Sequence, residues 1–133
     1  MEIREYQYKQ DEVLSLYRSV GWTAYTRNPV VLQKGFKNSL LILGAFEADK
    51  LIGLIRTVGD GETILFIQDL LIRPEWQRKG IGSQLLQAVF ERYSHVRQIE
   101  LLTDDSSETR AFYRANGMQE AKSLGCCCMI KTS

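Results

Sequence analysis

The sequence lacks a charge excess, a long apolar run and a paired set of cysteines. Its 133 residues carry 17 Lys and Arg against 16 Asp and Glu, which leaves a formal net charge of +1. Without an excess of positive charge, few counterions can be released from a polyanion, so we expect neither nucleic acid nor an anionic membrane as a partner. No segment approaches the roughly 20 apolar residues that cross a bilayer, which excludes a transmembrane helix.

Cysteine occurs only in the run Cys126-Cys127-Cys128. Adjacent residues of a strand point to opposite faces, so such a run holds one metal ion poorly and we expect no metal site. We interpret the three cysteines as small apolar side chains of a C-terminal strand. The residues 1–5 are charged where a secretory signal would be apolar, so a cytoplasmic location is expected.

Apolar residues make up 44% of the chain and recur along its length, which predicts one folded domain over residues 1–133. A second helix is expected to start at Pro29 and to bury Val30, Val31, Leu32 and Phe36. The order β-α-α-β-β-β-α-β-α-β predicts an α/β fold, a mixed sheet with helices on both faces. The predicted helices lie near 13–20, 29–36, 81–93 and 105–116, and the strands near 1–8, 40–47, 51–58, 63–72, 98–103 and 118–131.

A glycine-containing loop follows the most apolar strand. Residues 63–72 are apolar on both faces, which is typical of an inner strand, and Pro74 ends it. The segment 80–82, Gly-Ile-Gly, stands where an amphipathic helix begins. Glycine lets a ligand approach the main chain closely, and the first N–H groups of a helix have no partner within it. With Arg78 and Lys79 adding positive charge beside these amides, the pattern predicts a phosphate-binding loop.

Two common phosphate loops do not match this segment. A dinucleotide fingerprint would need a third glycine where Leu85 stands, and it would lie near the start of the fold. A P-loop would need a glycine followed by Lys and then Ser or Thr, and the sequence has no such triplet. A simpler alternative is a loop whose glycines only tighten the turn between strand and helix.

The loop does match another pattern, Gln-x-x-Gly-x-Gly, at Gln77, Gly80 and Gly82, and the preceding residues 70–74 read Leu-x-Ile-x-Pro. This composite resembles the acetyl-CoA-binding segment of the GNAT superfamily of N-acetyltransferases. The order of elements extends the resemblance over nearly the whole chain. The resemblance implies a GNAT-like fold, an acyltransferase activity, acetyl-CoA as cosubstrate and no metal.

The resemblance also implies specific contacts with CoA. Relatives hold its pyrophosphate with main-chain N–H groups of the glycine loop, and the pantetheine arm runs beside the central strand like an added strand. An oriented N–H there would polarise the thioester carbonyl and stabilise its oxyanion. The residues implied are Gln77, Arg78, Lys79, Gly80, Ile81, Gly82 and Ser83 for the loop, and Leu70, Leu71 and Ile72 for the arm.

Residues 111–118, Ala-Phe-Tyr-Arg-Ala-Asn-Gly-Met, resemble the helix end of the family, with Met in place of the usual Phe. In many members the tyrosine equivalent to Tyr113 protonates the leaving thiolate, and a phenol with a pKa of about 10 can donate that proton. A buried core tyrosine is the competing interpretation. Where the family often has an Asn that contacts the CoA arm, this chain has Ser106, whose hydroxyl can still form a hydrogen bond. Asp105 and Glu108 form a capping pattern at the start of this helix.

The sequence does not single out a base for the substrate amine. Asp69, the only carboxylate of the strand 63–72, is either a base acting through water or a structural acceptor for neighbouring N–H groups, and we favour the structural role. His95 is expected at the surface, at the far end of its helix. In this superfamily the loop between the first two helices lines the substrate pocket, which implies an aromatic wall of Trp22 and Tyr25. The same two side chains could instead cap the core.

The sequence therefore predicts an N-acetyltransferase that moves an acetyl group from acetyl-CoA to a primary amine of a small molecule or peptide. Direct attack in a ternary complex is expected, because no cysteine precedes the glycine loop to carry an acyl group. The alternative is a catalytically weak acetyl-CoA-binding sensor or partner subunit, which the missing base and Ser106 keep open. The resemblance is also compatible with a homodimer, since many relatives pair through sheets or helices.

Overall fold

A mixed sheet of five strands forms the centre of the computed structural model, which describes residues 1–133. The strands lie in the order β1-β2-β3-β4-β5, and all neighbours are antiparallel except β4 and β5, which are parallel. The prediction of a mixed α/β sheet is confirmed. The strands are β1 (Glu2–Glu5), β2 (Leu41–Glu47), β3 (Lys50–Gly59), β4 (Ile64–Ile72) and β5 (Gln98–Leu101).

Five helices accompany the sheet. They are α1 (Gln10–Ser19), α2 (Thr23–Thr26), α3 (Pro29–Lys37), α4 (Ile81–Arg92) and α5 (Ser107–Ala115). The first helix ends before Gly21, whose φ of +76° is the left-handed conformation that glycine adopts at little cost. Sequence periodicity missed α2, because four residues are too few to show a helical repeat.

Helices α1 and α4 cover opposite faces of the sheet. A Cβ added at Gly53 of β3 would lie 3.6 Å from Leu85 of α4 and only 2.6 Å from Ile72 of β4. The next residue, Leu54, belongs to a buried cluster that includes Tyr17 of α1. Because successive strand residues point to opposite faces, the two helices lie on the two sides of the sheet, as predicted.

Strand β4 contains one residue without a cross-strand partner. Arg56 pairs with Asp69 and Thr57 pairs with Ile67, so Gln68 is an extra residue in β4, which makes this position a β-bulge. The parallel neighbour β5 pairs only with residues 64–67 of β4. From Gln68 onward, β4 therefore has a sheet partner on one edge alone, the edge that faces β3.

Two predictions about burial are wrong. Val30 and Val31 of α3 are 61% and 59% exposed, because the buried face of this short helix is carried by Leu32 and Phe36 alone. Three consecutive residues of a helix point in different directions, so a helix that packs on one side only cannot bury all three. No helix of the chain is long and apolar enough to span a membrane.

Backbone contacts divide the chain into two compact units, Met1–Leu102 and Thr103–Ser133. The second unit holds α5 and a 3₁₀ turn at Ala121–Leu124. The strand predicted over residues 118–131 is wrong: no strand forms there, and the three cysteines, expected as apolar side chains of that strand, are exposed free thiols. The 3₁₀ turn and Gly125, with a φ of +77°, interrupt the extended backbone that a strand requires.

Candidate functional site

A hydrogen bond joins the loop between β4 and α4 to the end of its own strand. After β4, a 3₁₀ turn at Pro74–Trp76 reverses the chain, and Gln77 Nε2 donates to the carbonyl of Ile72 at 2.9 Å. Arg78 and Gly80 then adopt the left-handed conformation, with φ of +62° and +81°. The glutamine and the first glycine of the predicted motif thus shape the loop that leads into the helix.

The positive end of α4 is open. Gly80 is the N-cap residue; no side chain caps the helix, and its first turn holds no acidic residue. A Cβ added at Gly80 would meet nothing within 4 Å, so there is space in front of these amides. Ile81, the first helical residue, is 4% exposed and anchors the helix in the core. An uncapped N-terminus beside open space is the arrangement that binds phosphate oxygens.

Three cationic side chains lie at this loop, and they differ in exposure. Arg73 is held in place, because its Nε donates to the carbonyl of Leu51 at 2.8 Å and its Nη2 to Ser15 Oγ at 3.0 Å. Lys79 Nζ lies 5.3 Å from the centre of the Trp76 ring. The side chains of Arg78 and Lys79 are exposed. Their positive charges therefore lie at the surface beside the helix start.

The second half of β4 offers main-chain groups along an edge that lacks a strand. Leu70, Leu71 and Ile72 pair with β3 on one side, opposite residues 53–55, and the partner strand β5 has already ended on the other side. Leu71 is buried against the α1 side, whereas Leu70 and Ile72 are half-buried. An extended ligand can hydrogen-bond to such an edge in the manner of an added strand.

A buried carboxylate stands at the bulge of β4. Asp69 is 2% exposed and Arg56, opposite it on β3, is 5% exposed. Asp69 Oδ2 accepts from Arg56 Nε at 2.7 Å and from Tyr17 Oη at 2.8 Å, and Oδ1 accepts from Tyr25 Oη at 2.8 Å. We call these four residues the carboxylate cluster. Burial raises the pKa of both tyrosines, chiefly because the phenolate form would lose its hydration, so both hydroxyls keep their protons.

The aromatic residues predicted for the substrate pocket pack together at α2. The ring centres of Trp22 and Tyr25 are 6.2 Å apart, and Tyr17 lies 5.9 Å from the first and 5.3 Å from the second. Both Trp22 and Tyr25 are half-buried against the core cluster on the α1 face. Tyr25 also accepts a hydrogen bond at 3.0 Å from Nε2 of the exposed Gln68. Each side chain therefore has one part in the core and another at the surface.

The unit Thr103–Ser133 holds the other two predicted site residues. The N-cap of α5 is Ser106 and not Asp105, because Ser106 Oγ accepts from the N–H of Thr109 at 3.2 Å. Tyr113 is half-buried, and its ring lies 4.9 Å from that of Phe112. Burial raises the pKa of Tyr113, and a hydrogen bond from the Thr103 side chain opposes that shift.

Sequence reasoning missed two members of the site, Arg56 and Tyr17, and the hydrogen bond from Gln68 to Tyr25. One signal was available, since Arg56 is the only charged residue within the otherwise apolar stretch 51–58, and such a charge needs a buried partner. Its partner Asp69 is likewise the only charge in the next strand. Pairing the two across a hairpin would have identified the ion pair.

A second groove lies away from this region, beside β1. Its lining mixes both signs of charge around one aromatic ring: Arg4, Lys9, Glu12, Asp49 and Phe46 are among its residues. Arg4 stacks on Phe46 with its guanidinium carbon 3.8 Å from the ring centre. We call it the β1 groove.

Comparisons with known proteins agree with this fold. Residues 38–120 match a family model described as an acetyltransferase (GNAT) domain. A solved GNAT-family acetyltransferase of Streptococcus pneumoniae is 34% identical, with 99% of this chain and 97% of that chain covered and a TM-score of 0.90. The match therefore extends over both compact units.

Two further proteins are less similar in sequence and are covered only in part by this chain. An uncharacterized N-acetyltransferase, ycf52-like, of Prochlorococcus marinus is 31% identical over 113 residues, which cover 80% of this chain but only 60% of that protein. The chain thus spans less than two thirds of that relative. A crystal structure of an aminoglycoside 6'-N-acetyltransferase complexed with coenzyme A shares the fold at 20% identity and a TM-score of 0.68, covering 79% of this chain and 63% of that one.

Proposed function

The chain belongs to the GNAT family of acetyltransferases, and we propose that it moves the acetyl group of acetyl-CoA to a primary amine of a small molecule or peptide. The observation that carries the proposal is the uncapped N-terminus of α4 beside Gly80, which follows a strand edge without a partner. One ligand with a diphosphate and an extended arm uses both features. We also propose that residues 1–133 form one N-acetyltransferase domain, since the family match crosses the boundary between the two units.

The residues proposed to hold CoA divide by chemistry. Main-chain N–H groups of residues 78–83 bind the diphosphate, with the exposed positive charges of Arg78 and Lys79 beside them, while Gln77 holds the loop. Main-chain groups of residues 70–72 bind the pantetheine arm. Ser106 is a weaker candidate, because its hydroxyl already accepts from the N–H of Thr109 and is also hydrogen-bonded to the Thr109 hydroxyl at 2.8 Å.

For the chemical step we propose direct attack within a ternary complex. The neutral amine nitrogen attacks the thioester carbonyl carbon, the new C–N bond forms, and the C–S bond breaks. Tyr113 donates its phenolic proton to the departing sulfur and regains one from water. The proton lost by the amine goes to water, because the three donors around Asp69 favour a structural role for its carboxylate over that of a base.

Steady-state kinetics test the proposed function. Purified protein is assayed with acetyl-CoA and a panel of primary amines, among them benzylamine and 2-phenylethylamine, and the acetylated product is detected by mass spectrometry. A thiol reagent is unsuitable because the three exposed cysteines would react with it. Intersecting double-reciprocal lines are expected for a ternary complex.

Two outcomes would contradict this proposal. Parallel double-reciprocal lines would indicate an acyl-enzyme intermediate and would exclude direct transfer. Saturable acetyl-CoA binding without turnover of any amine would favour the alternative function, a sensor or partner subunit. The locked carboxylate of Asp69 is the observation that favours this alternative, since it leaves the site without a free base.

A further inference from the structure

The carboxylate cluster fixes the direction of a chain of hydrogen bonds that leads from the core to the surface. Asp69 is paired with the guanidinium of Arg56, which is always charged, so its carboxylate can only accept hydrogen bonds. Tyr17 and Tyr25 each own a single proton. Both must point that proton at Asp69, at 2.8 Å in each case.

The donor-to-acceptor direction of these hydrogen bonds is also fixed beyond Tyr25, toward the surface. With its proton committed to Asp69, the Tyr25 oxygen can only accept, and its partner must be a donor. That partner is Nε2 of Gln68, at 3.0 Å. Oxygen and nitrogen of an amide are interchangeable in shape, so the network decides which faces which way. Here the NH₂ group must face Tyr25, and the carbonyl Oε1 must face outward.

The position of Gln68 leaves its side-chain carbonyl available to accept a hydrogen bond from a ligand. It is the extra residue of the β4 bulge, its side chain is exposed, and the bond to Tyr25 is the one hydrogen bond that its side chain makes. Two residues further along the strand lies Leu70, about 7 Å away at the usual rise of a strand. The proposed pantetheine edge therefore begins beside the outward amide of Gln68.

We propose that Gln68 Oε1 is the group that binds the N–H of the substrate amine, and that Asp69 and Tyr25 are positioning residues that keep it facing outward. This inference rests on the proposed function. A neutral carbonyl beside the aromatic pair Trp22 and Tyr25 selects a primary amine attached to an apolar or aromatic body. It disfavours substrates that present a carboxylate or phosphate at this point, because two hydrogen-bond acceptors would then meet.

A substitution that reverses the direction of these hydrogen bonds tests the proposed role of Gln68. In Asp69→Asn the amide oxygen replaces Oδ2, where Arg56 and Tyr17 donate, so the new NH₂ faces Tyr25. Tyr25 then donates outward, Gln68 turns its carbonyl toward Tyr25, and its NH₂ faces the substrate. We expect the amine KM to rise about tenfold or more while the acetyl-CoA KM stays within about twofold.

A second substitution is decisive because it should change the amine KM in opposite directions in two backgrounds. Gln68→Glu in the wild-type background places a carboxylate against a Tyr25 oxygen that has no proton to give, so the amine KM rises. In the Asp69→Asn background Tyr25 does have a proton to give, so the same Gln68→Glu change lowers the amine KM. The amine KM would change in the same direction in both backgrounds if Asp69 had a purely structural role. The same result would follow from simple attraction between the introduced carboxylate and a cationic amine. Such a result would overturn the proposal.

Two further variants guard against loss of folding. Asp69→Asn leaves Arg56 without its charged partner and could therefore destabilise the fold. Tyr25→Phe interrupts the same hydrogen bonds without removing a charge, and we expect it to raise the amine KM by a smaller factor. Thr57→Val serves as the destabilised control, because Thr57 is buried and its hydroxyl bonds only to the backbone of Leu41. This control is expected to leave both KM values within about twofold of the wild type.

A spectroscopic measurement separates this inference from the proposed function. In ¹⁵N-labelled protein without substrate, the side-chain NH₂ signals of Gln68 should show one hydrogen-bonded proton in the wild type. Tyr25→Phe and Asp69→Asn should both return them to the position of a free glutamine. If no amine is turned over but these shifts occur, the proposed function fails and the hydrogen-bond direction stands. Identical Gln68 signals in all three proteins would overturn the inference whatever the activity.

Discussion

Replacing Tyr113 by Phe is expected to lower kcat about 100-fold while the acetyl-CoA KM changes less than about twofold. The substitution keeps the ring and removes only the proton proposed to reach the departing sulfur. Burial raises the pKa of Tyr113 above its ordinary value of 10, so the phenol stays protonated at neutral and mildly alkaline pH. Activity that depends on this proton is therefore retained up to about pH 10 and lost only as the pH rises further.

Tyr93→Phe is the matched control for this substitution, since it removes the same atom from a tyrosine outside the proposed site. We expect its kcat to stay within about twofold of the wild type. A Tyr113→Phe protein with more than about a third of the wild-type kcat would contradict the role as general acid. Tyr113 would then be a core tyrosine, and its contact with Phe112 would be its main contribution.

The second large effect is expected from Gly82→Glu. Gly82 is the second residue of α4, in a first turn that has no acidic residue. A carboxylate there interacts favourably with the helix dipole, and glutamate also favours a helix more than glycine does, so the protein should become more stable, with a higher Tm. The same carboxylate occupies and repels the proposed diphosphate site, so the Kd for acetyl-CoA should rise about 100-fold.

Val30→Glu provides the control for Gly82→Glu. Val30 is the second residue of α3, whose first turn also has no acidic residue, and its side chain is 61% exposed. It should give a comparable gain in stability through the dipole with no change in acetyl-CoA binding. Binding that is equally strong in Gly82→Glu and the wild type would place the diphosphate elsewhere.

The segment from β4 to α4 could be predicted from the sequence because its signals are local. An apolar run marks the strand, Pro74 ends it, and Gly80 takes a backbone conformation that favours glycine, just before the apolar repeat of α4 begins. Each signal lies within a few residues of the feature that it predicts. The family resemblance rests on the same segment, and the matched family model confirms it.

The carboxylate cluster could not be predicted in the same way, because its contacts join distant parts of the chain. Asp69 is separated from Tyr17 by 52 positions and from Tyr25 by 44. No periodicity connects a helix residue to a strand residue at such separations. The bulge at Gln68 depends on the register between two strands, which apolar patterning alone does not fix.

The wrong prediction of a C-terminal strand has a different cause. Cys126, Met129 and Ile130 have the apolar character of a strand, but composition says nothing about whether a neighbouring strand is present to pair with them. The glycines at 117 and 125, which bound residues 118–124, were the contrary signal in the sequence. Glycine-bounded segments with polar residues between them are typical of turns.

We propose that the amides at the start of α4 bind the diphosphate of acetyl-CoA, and an NMR titration can locate this binding residue by residue. Uniformly ¹⁵N-labelled protein is titrated with acetyl-CoA while the backbone amide shifts are followed. We expect saturable changes that are largest at residues 78–83 and continue along residues 70–72. No saturable change, or the largest changes in the β1 groove around Arg4 and Asp49, would contradict it.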